Sequence, residues 1–229
     1  MSEHADVLVA IAAYREGAAV GDVVTGLRQR SWRVLVVDDG SDDNTAVRAA
    51  AAGAIVVRHP INLGQGAALR TAFRAAQELP GVRIVVTFDA DGQHAHDAVE
   101  ALVAPIRRGE ADVTLGTRFS DQAPVTAMPW VRRLALRCVV AMMRRTTGLP
   151  LTDAHNGLRA ISIDAVQRFR LVQDRMAHAS EITREIARLR LRMVEVPVHI
   201  TYTDYSLSKG QRLLDGVSIL WDLFMSRAR

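Results

Sequence analysis

Four segments with helical periodicity, at residues 18–29, 44–52, 65–78 and 97–108, alternate with five apolar runs at residues 7–13, 34–37, 54–57, 82–88 and 113–116. No other feature limits the fold as much. Several runs are apolar throughout rather than at every second position, which is the pattern of strands buried on both faces. Strands of that kind joined by helices make a mostly parallel sheet with helices on each side, so the expected class is α/β. In such sheets ligands bind outside the carboxyl ends of the strands. Every polar motif in this half of the chain falls at such an end.

The rest of the chain has a different texture. Residues 129–145 read as a helix opened by Pro129, with Arg133, Arg137 and Arg144 on one side and Val131, Leu134, Cys138 and Met142 opposite. A helix at 180–190, a strand at 193–200 and a closing amphipathic helix at 211–225 follow. The charge divides at the same place: residues 1–117 hold 11 Lys/Arg against 15 Asp/Glu, and residues 118–229 hold 18 against 10. An acidic half suits a cation, and a basic half suits a phosphate-rich partner or an anionic membrane surface. One domain spanning 1–229 is expected, with a donor and metal half to residue 117 and an acceptor half, helical toward its C-terminus, from 118.

Several classes are set aside. Aromatic residues make up 5% of the chain and no stacking or recognition motif is visible, so nucleic acid is not an expected partner. The single cysteine, Cys138, rules out an internal disulfide and fits a reducing compartment. The first residues lack the basic and apolar regions of a signal peptide, and no run of about 18 apolar residues occurs. The expected location is cytoplasmic, or peripheral at the inner face of the cell membrane.

The chemistry concentrates in Asp89-Ala90-Asp91-Gly92-Gln93-His94, after the fourth run. Two carboxylates two residues apart at a strand end project to the same side. Left alone they would repel and raise one of their own pKa values. Mg²⁺ or Mn²⁺ removes that conflict and, bound by one or two carboxylates, retains positions for substrate phosphates. The competing reading is an Asp-Gly turn with two solvated carboxylates. Asp38-Asp39-Gly40-Ser41 ends the second run. It reads either as a turn feeding a helix cap or as carboxylates accepting from a base N–H or a ribose hydroxyl. Asn62-Leu63-Gly64-Gln65-Gly66 opens a helix; taken alone it reads first as a helix-start turn, and second as glycines that permit close backbone approach with N–H groups that attract phosphate or a base edge. It is not a dinucleotide fingerprint, because Leu69 stands where a third glycine belongs. His94 and His96 lack further ligands at zinc spacing.

These motifs, together with Gly116-Thr117-Arg118-Phe119 and Asp153-Ala154-His155-Asn156-Gly157-Leu158-Arg159-Ala160, occur in order. The combination resembles family 2 glycosyltransferases of the GT-A fold, and within them the polyprenyl-phosphate (dolichyl-phosphate mannose synthase-like) branch. The resemblance implies a UDP-, GDP- or dTDP-linked sugar donor bordered by Ala13, Tyr14, Glu16, Asp38, Asp39, Asn62, Gly64, Gly66, Asp89 and Ala90. It implies Asp89, Asp91 and Gln93 as metal ligands, Arg118 on phosphate at the reaction centre, Asn156, Gly157 and Arg159 on the acceptor side, and Ser208-Lys209 near phosphate. Ala13 and Arg15 replace the family's usual Pro and Asn in the first loop, and Thr203 and Ser206 replace the Arg and Gly that often precede Ser-Lys.

The expected activity is metal-dependent, inverting sugar transfer to a polyprenyl phosphate at the cytoplasmic membrane face, by docking on the bilayer or on a separate membrane subunit. A phosphate acceptor is already anionic and needs cations, which Arg118, Arg132, Arg133 and Lys209 would supply. A hydroxyl acceptor, as in a transferase extending a cell-surface or secondary-metabolite glycan, needs a general base, for which Asp153 and Glu181 are candidates beside the catalytic Asp91 and Arg118. A non-catalytic nucleotide-sugar-binding subunit is the reading from another class.

Overall fold

The computed structural model describes residues 4–118, 130–153, 156–175 and 177–199, with the backbone alone over 130–138. The five expected runs become strands β1 (Val7–Ala13), β2 (Arg33–Asp38), β3 (Ile55–Arg58), β4 (Ile84–Asp89) and β5 (Val113–Thr117). Between them lie helices α1 (Val20–Gln29), α2 (Thr45–Ala51), α3 (Gln65–Glu78) and α4 (Ala98–Arg107). Then come α5 (Trp130–Thr147), β6 (Arg159–Ser162), α6 (Ile163–Arg168), α7 (His178–Arg188) and β7 (Met193–Pro197). The expected closing helix at 211–225 lies outside the described residues.

The seven strands form one sheet in the order β3-β2-β1-β4-β6-β5-β7. It is parallel at β1–β2, β1–β4, β2–β3 and β5–β7. The exception is β6, which runs antiparallel between β4 and β5, with Arg159 in register with Thr87 on one side and Leu115 on the other. Neither β6 nor α6 is announced by a hydrophobic run.

The sheet is covered on both faces, as uniformly apolar strands require. Val7, Val9 and Ile11 of β1 turn to one side, against Val20, Val24 and Leu27 of α1 and Val99, Leu102 and Val103 of α4. Leu8 and Ala10 turn to the other, against Ala68, Ala72 and Phe73 of α3 and Ile182 and Ile186 of α7. The C-terminal part of α5 belongs to this second layer through Val139, Val140 and Met143. That part is therefore core-packed. Among the described residues no helix is long and apolar enough to cross a bilayer.

Candidate active site

Parallel alignment brings the ends of β1, β2, β4 and β5 to one edge, and reversal of β6 delivers its first residue, Arg159, to the same edge. A cleft of about 570 Å³ opens there, lined by Ala13, Tyr14, Glu16, Asp39, Asn62 and Gly64 from the donor-side set, together with Ala12, Gln65, Ala68 and Arg175.

The two carboxylates of Asp38-Asp39 part company, because successive residues of an extended strand face opposite ways. Asp38 is 0% exposed. Its Oδ1 accepts from the Ser41 N–H at 3.1 Å, and its Oδ2 lies 3.2 Å from Arg58 Nε without hydrogen-bond alignment. Asp39 forms part of the cleft wall and accepts from His59 Nδ1 and from the Leu63 and Gly64 N–H groups. The second acidic pair has another task. Asp43 accepts from the Gly17 N–H at 3.1 Å, and Asp42 holds the Arg15 guanidinium at 2.6 and 2.8 Å. Arg15 has φ +55°, the left-handed region in which Asn is several-fold enriched.

The glycine loop takes its helix-start reading, with Gly64 at the cap of α3. The Gly66 and Ala67 N–H groups are not left open for phosphate, because both donate to the Asp174 carbonyl, at 2.8 and 3.2 Å. A Cβ at Gly64 or Gly66 would collide with the Asp174 or Gln173 carbonyl. The close approach these glycines allow is that of another stretch of the chain. That stretch, residues 170–175, is held from below by α7. Glu181 accepts from the Val172 and Gln173 N–H groups at 2.9 and 3.0 Å, and Glu185 accepts from the Arg170 N–H at 2.8 Å. The expectation of Glu181 as a base thus meets a carboxylate with both oxygens already engaged, and Arg175, which the sequence reading passed over, reaches the cleft because this loop is fixed.

The carboxylate pair lies beside the cleft. Asp89 closes β4, but Ala90 and Asp91 already belong to a turn, so strand alternation does not align the two side chains. They are coupled nonetheless. Burial raises the Asp91 carboxyl above its usual range, and the Asp89 charge adds to this. Burial also opposes ionisation of Asp89, but the His94 hydrogen bond and the charges of His94, Arg159 and His178 outweigh it and hold that carboxyl low. His94 Nε2 donates to Asp89 Oδ2 at 2.9 Å. His96 instead stacks on Phe88 at 6.0 Å and packs on Gly26, so neither histidine is placed as a zinc ligand. Among the described residues no group of three or more His, Cys, Asp or Glu side chains could hold an ion. Two hard carboxylates, one of them strained by its neighbour's charge, fit Mg²⁺ or Mn²⁺ that completes its shell with substrate oxygens and water. The Gln93 N–H donates to Asp91 Oδ1 at 3.0 Å.

Gly157 packs directly on Asp89, where a Cβ would collide with the carboxylate, and Thr87 Oγ1 fixes the Gly157 carbonyl at 2.6 Å. Gly157→Ala should therefore displace Asp89. The expected result is a 10- to 100-fold weaker Mn²⁺ affinity by calorimetry, roughly the effect of disturbing a ligand's support. Unchanged affinity would mean that Asp89 does not hold the ion.

Arg118 and Asp153 form a bidentate pair, Nε–Oδ2 at 2.7 Å and Nη2–Oδ1 at 2.9 Å. Glu195, unremarked in the sequence, anchors the segment beneath through the Thr152 N–H and hydroxyl, both at 2.6 Å, and the Asp153 N–H at 3.4 Å. Asp153 is thus the counter-ion of Arg118, not an open base. Arg159 is 4% exposed. Burial pushes its guanidinium down to about 10 while Asp89 and Asp153 pull the other way. Asn156, also buried, spends its side-chain oxygen on the Leu158 N–H. Arg132 and Arg133 are described by backbone alone, and Ser208 and Lys209 lie outside the described residues.

A doubly covered sheet with a cleft over β1, β2 and α3, and paired carboxylates at the next strand end, is the layout of a GT-A nucleotide-sugar transferase. A family model, Glycosyl transferase family 2, matches residues 8–170. The chain belongs to that family and is a glycosyltransferase. It is 35% identical over 228 residues to an uncharacterised protein of Methanocaldococcus jannaschii, covering 97% of this chain and 92% of that one. It is 30% identical over 235 residues to the UDP-N-acetylglucosamine–dolichyl-phosphate N-acetylglucosaminyltransferase of Methanococcus voltae, covering 94% and 93%. In fold it is similar to glucosyl-3-phosphoglycerate synthase of Mycobacterium tuberculosis, solved with Mn²⁺, UDP and glucosyl-3-phosphoglycerate. The TM-score is 0.71 at 23% identity, covering 93% of this chain and 74% of that one.

Proposed function

We propose that this enzyme transfers a sugar, with inversion, from a nucleotide diphosphate to a polyprenyl phosphate at a membrane surface, using Mg²⁺ or Mn²⁺. One observation carries the choice of acceptor. Both candidate bases are already committed, Asp153 to Arg118 and Glu181 to the backbone of 172–173. A hydroxyl acceptor needs a base to take its proton as it attacks. A phosphate monoester does not, and what it needs is a site that brings two anions together. Arg159, whose charge bears on Asp89, and Arg118, held by Asp153, supply fixed positive charge. The name of the M. voltae relative supports the same acceptor class.

In the reaction an acceptor phosphate oxygen bonds to the sugar's anomeric carbon as the bond from that carbon to the nucleoside diphosphate breaks on the opposite face. Asp39 and the alanines of the cleft hold the base, and Asp89 and Asp91 would hold the ion. Once bound there, the ion would supply Lewis-acid neutralisation of the leaving diphosphate's charge. Arg118, kept in place by Asp153, steadies the incoming phosphate. Docking is on the bilayer or on a separate membrane subunit.

The test is transfer of labelled sugar from a panel of nucleotide sugars to a polyprenyl phosphate in detergent with Mn²⁺. Label should enter the organic phase only with both acceptor and ion present. Transfer confined to water-soluble alcohols would overturn the acceptor, and binding without any turnover would favour a donor-binding subunit.

A further inference from the structure

The Asp39 carboxylate is almost fully used by the protein itself. Oδ1 accepts from His59 Nδ1 at 2.7 Å and from the Leu63 N–H at 3.0 Å; Oδ2 accepts from the Gly64 N–H at 2.7 Å. A carboxylate offers about four acceptor positions, two on each oxygen. One is left, on Oδ2. The imidazole that occupies Oδ1 is itself fixed, because its other nitrogen, Nε2, lies 2.9 Å from Thr71 Oγ1 on α3. With Nδ1 donating to the carboxylate, a neutral ring accepts at Nε2 from the Thr71 hydroxyl. Residue 59, just past β3, is thereby tied to both β2 and α3 and is 8% exposed.

We propose that His59 is a positioning residue that leaves Asp39 a single acceptor for the donor's base, so that the enzyme selects uracil or thymine over guanine. This rests on the nucleotide-sugar reading above. A uracil or thymine ring offers one imide N–H between two carbonyls and needs one acceptor. Guanine offers two adjacent donors, the ring N–H and the amino group, and meets a carboxylate best with both oxygens. Here Oδ1 is closed to it, so one guanine donor loses its partner on entering the cleft. A buried donor left unpaired is costly, and a site built for one hydrogen-bond pattern rejects another strongly. Ala12, Ala13 and Ala68 line the cleft, and their small side chains leave room for a flat ring to approach Asp39.

The direct test is calorimetric titration of the wild-type protein with UDP, dTDP and GDP in Mg²⁺. UDP and dTDP should bind at least about tenfold more tightly than GDP, the worth of one hydrogen bond to a charged group. GDP binding as tightly as UDP would overturn the base assignment and leave the nucleotide reading standing. No binding of any of the three would overturn both. His59→Ala frees Oδ1 and should bring the UDP-to-GDP ratio toward one, whereas His59→Asn, which keeps an N–H donor, should retain it. A ratio unmoved in His59→Ala would make the histidine a packing residue only. If that variant does not fold, Thr71→Val loosens the far end of the ring and should narrow the same ratio by a smaller factor; a ratio unmoved there overturns the positioning role.

Discussion

Replacing Asp91 with asparagine is expected to reduce sugar transfer about a thousandfold, the loss of one electrostatic partner of the transition state, while the protein becomes no less stable. The two halves of that result have one cause. The Asp91 carboxyl is raised by burial and by the neighbouring Asp89 charge, so the folded protein holds it at a cost that a divalent ion would relieve. The amide carries no charge to desolvate and none to repel Asp89, and removing strain of this kind often stabilises a protein as function is lost. Thermal melts without metal should show Asp91→Asn equal to or above the wild type. With Mn²⁺ added, the wild type should gain stability and the variant should not, since only a bound ligand shifts the folding equilibrium. A variant that transfers sugar at the wild-type rate would remove Asp91 from the site.

The second large effect concerns the Arg118–Asp153 pair. Asp153 has a fully buried side chain and that of Arg118 is 15% exposed. Breaking such a pair from one side costs about 3–5 kcal/mol where the remaining charge is left alone. Arg118→Leu should destabilise the protein by up to that amount, since the Arg159 charge still bears on Asp153, and abolish transfer. Asp153→Leu should cost as much in stability. The double substitution should recover part of the loss, because neither charge is then stranded. Denaturant melts of the four proteins close the cycle, and purely additive losses would show that the two side chains do not act as a pair. Asp153→Asn separates chemistry from packing. If Asp153 were a base, turnover would vanish; as a counter-ion that can still accept from Arg118, asparagine should leave a measurable rate.

The parts of the fold legible in the sequence are those whose burial shows in composition. Val7–Ala13 and Gln65–Glu78 match the expected bounds at both ends, because a doubly buried strand must be apolar throughout and a helix over a sheet must show an apolar stripe. β6 is illegible for the opposite reason. Arg159-Ala-Ile-Ser162 is four residues with a charge at its head, and only the free edges of β4 and β5 make it a strand. Within the site, the acidic motif and the glycine loop were visible as chemistry, but their division of labour was not. Asp38 and Asp39 are neighbours of identical type that a strand turns apart. The glycines of 64–66 suit a phosphate and a carbonyl equally well on paper, and it is Asp174, more than a hundred positions away, that occupies them. Glu181 is in the first turn of α7, where an acid complements the helix dipole; that it also reaches back to residues 172 and 173 depends on how the loop returns.

The placement of β6 has a consequence for the birth of the molecule. β4 and β5 are successive strands in the chain, yet they never touch through hydrogen bonds, since β6 lies between them. As the chain leaves the ribosome, β1 to β4 can assemble at once, whereas β5 has no completed partner until residue 162 has followed it out. A nascent chain stalled soon after residue 117 should thus present an acidic half-sheet with an open flank, a natural client for a chaperone until the missing strand arrives.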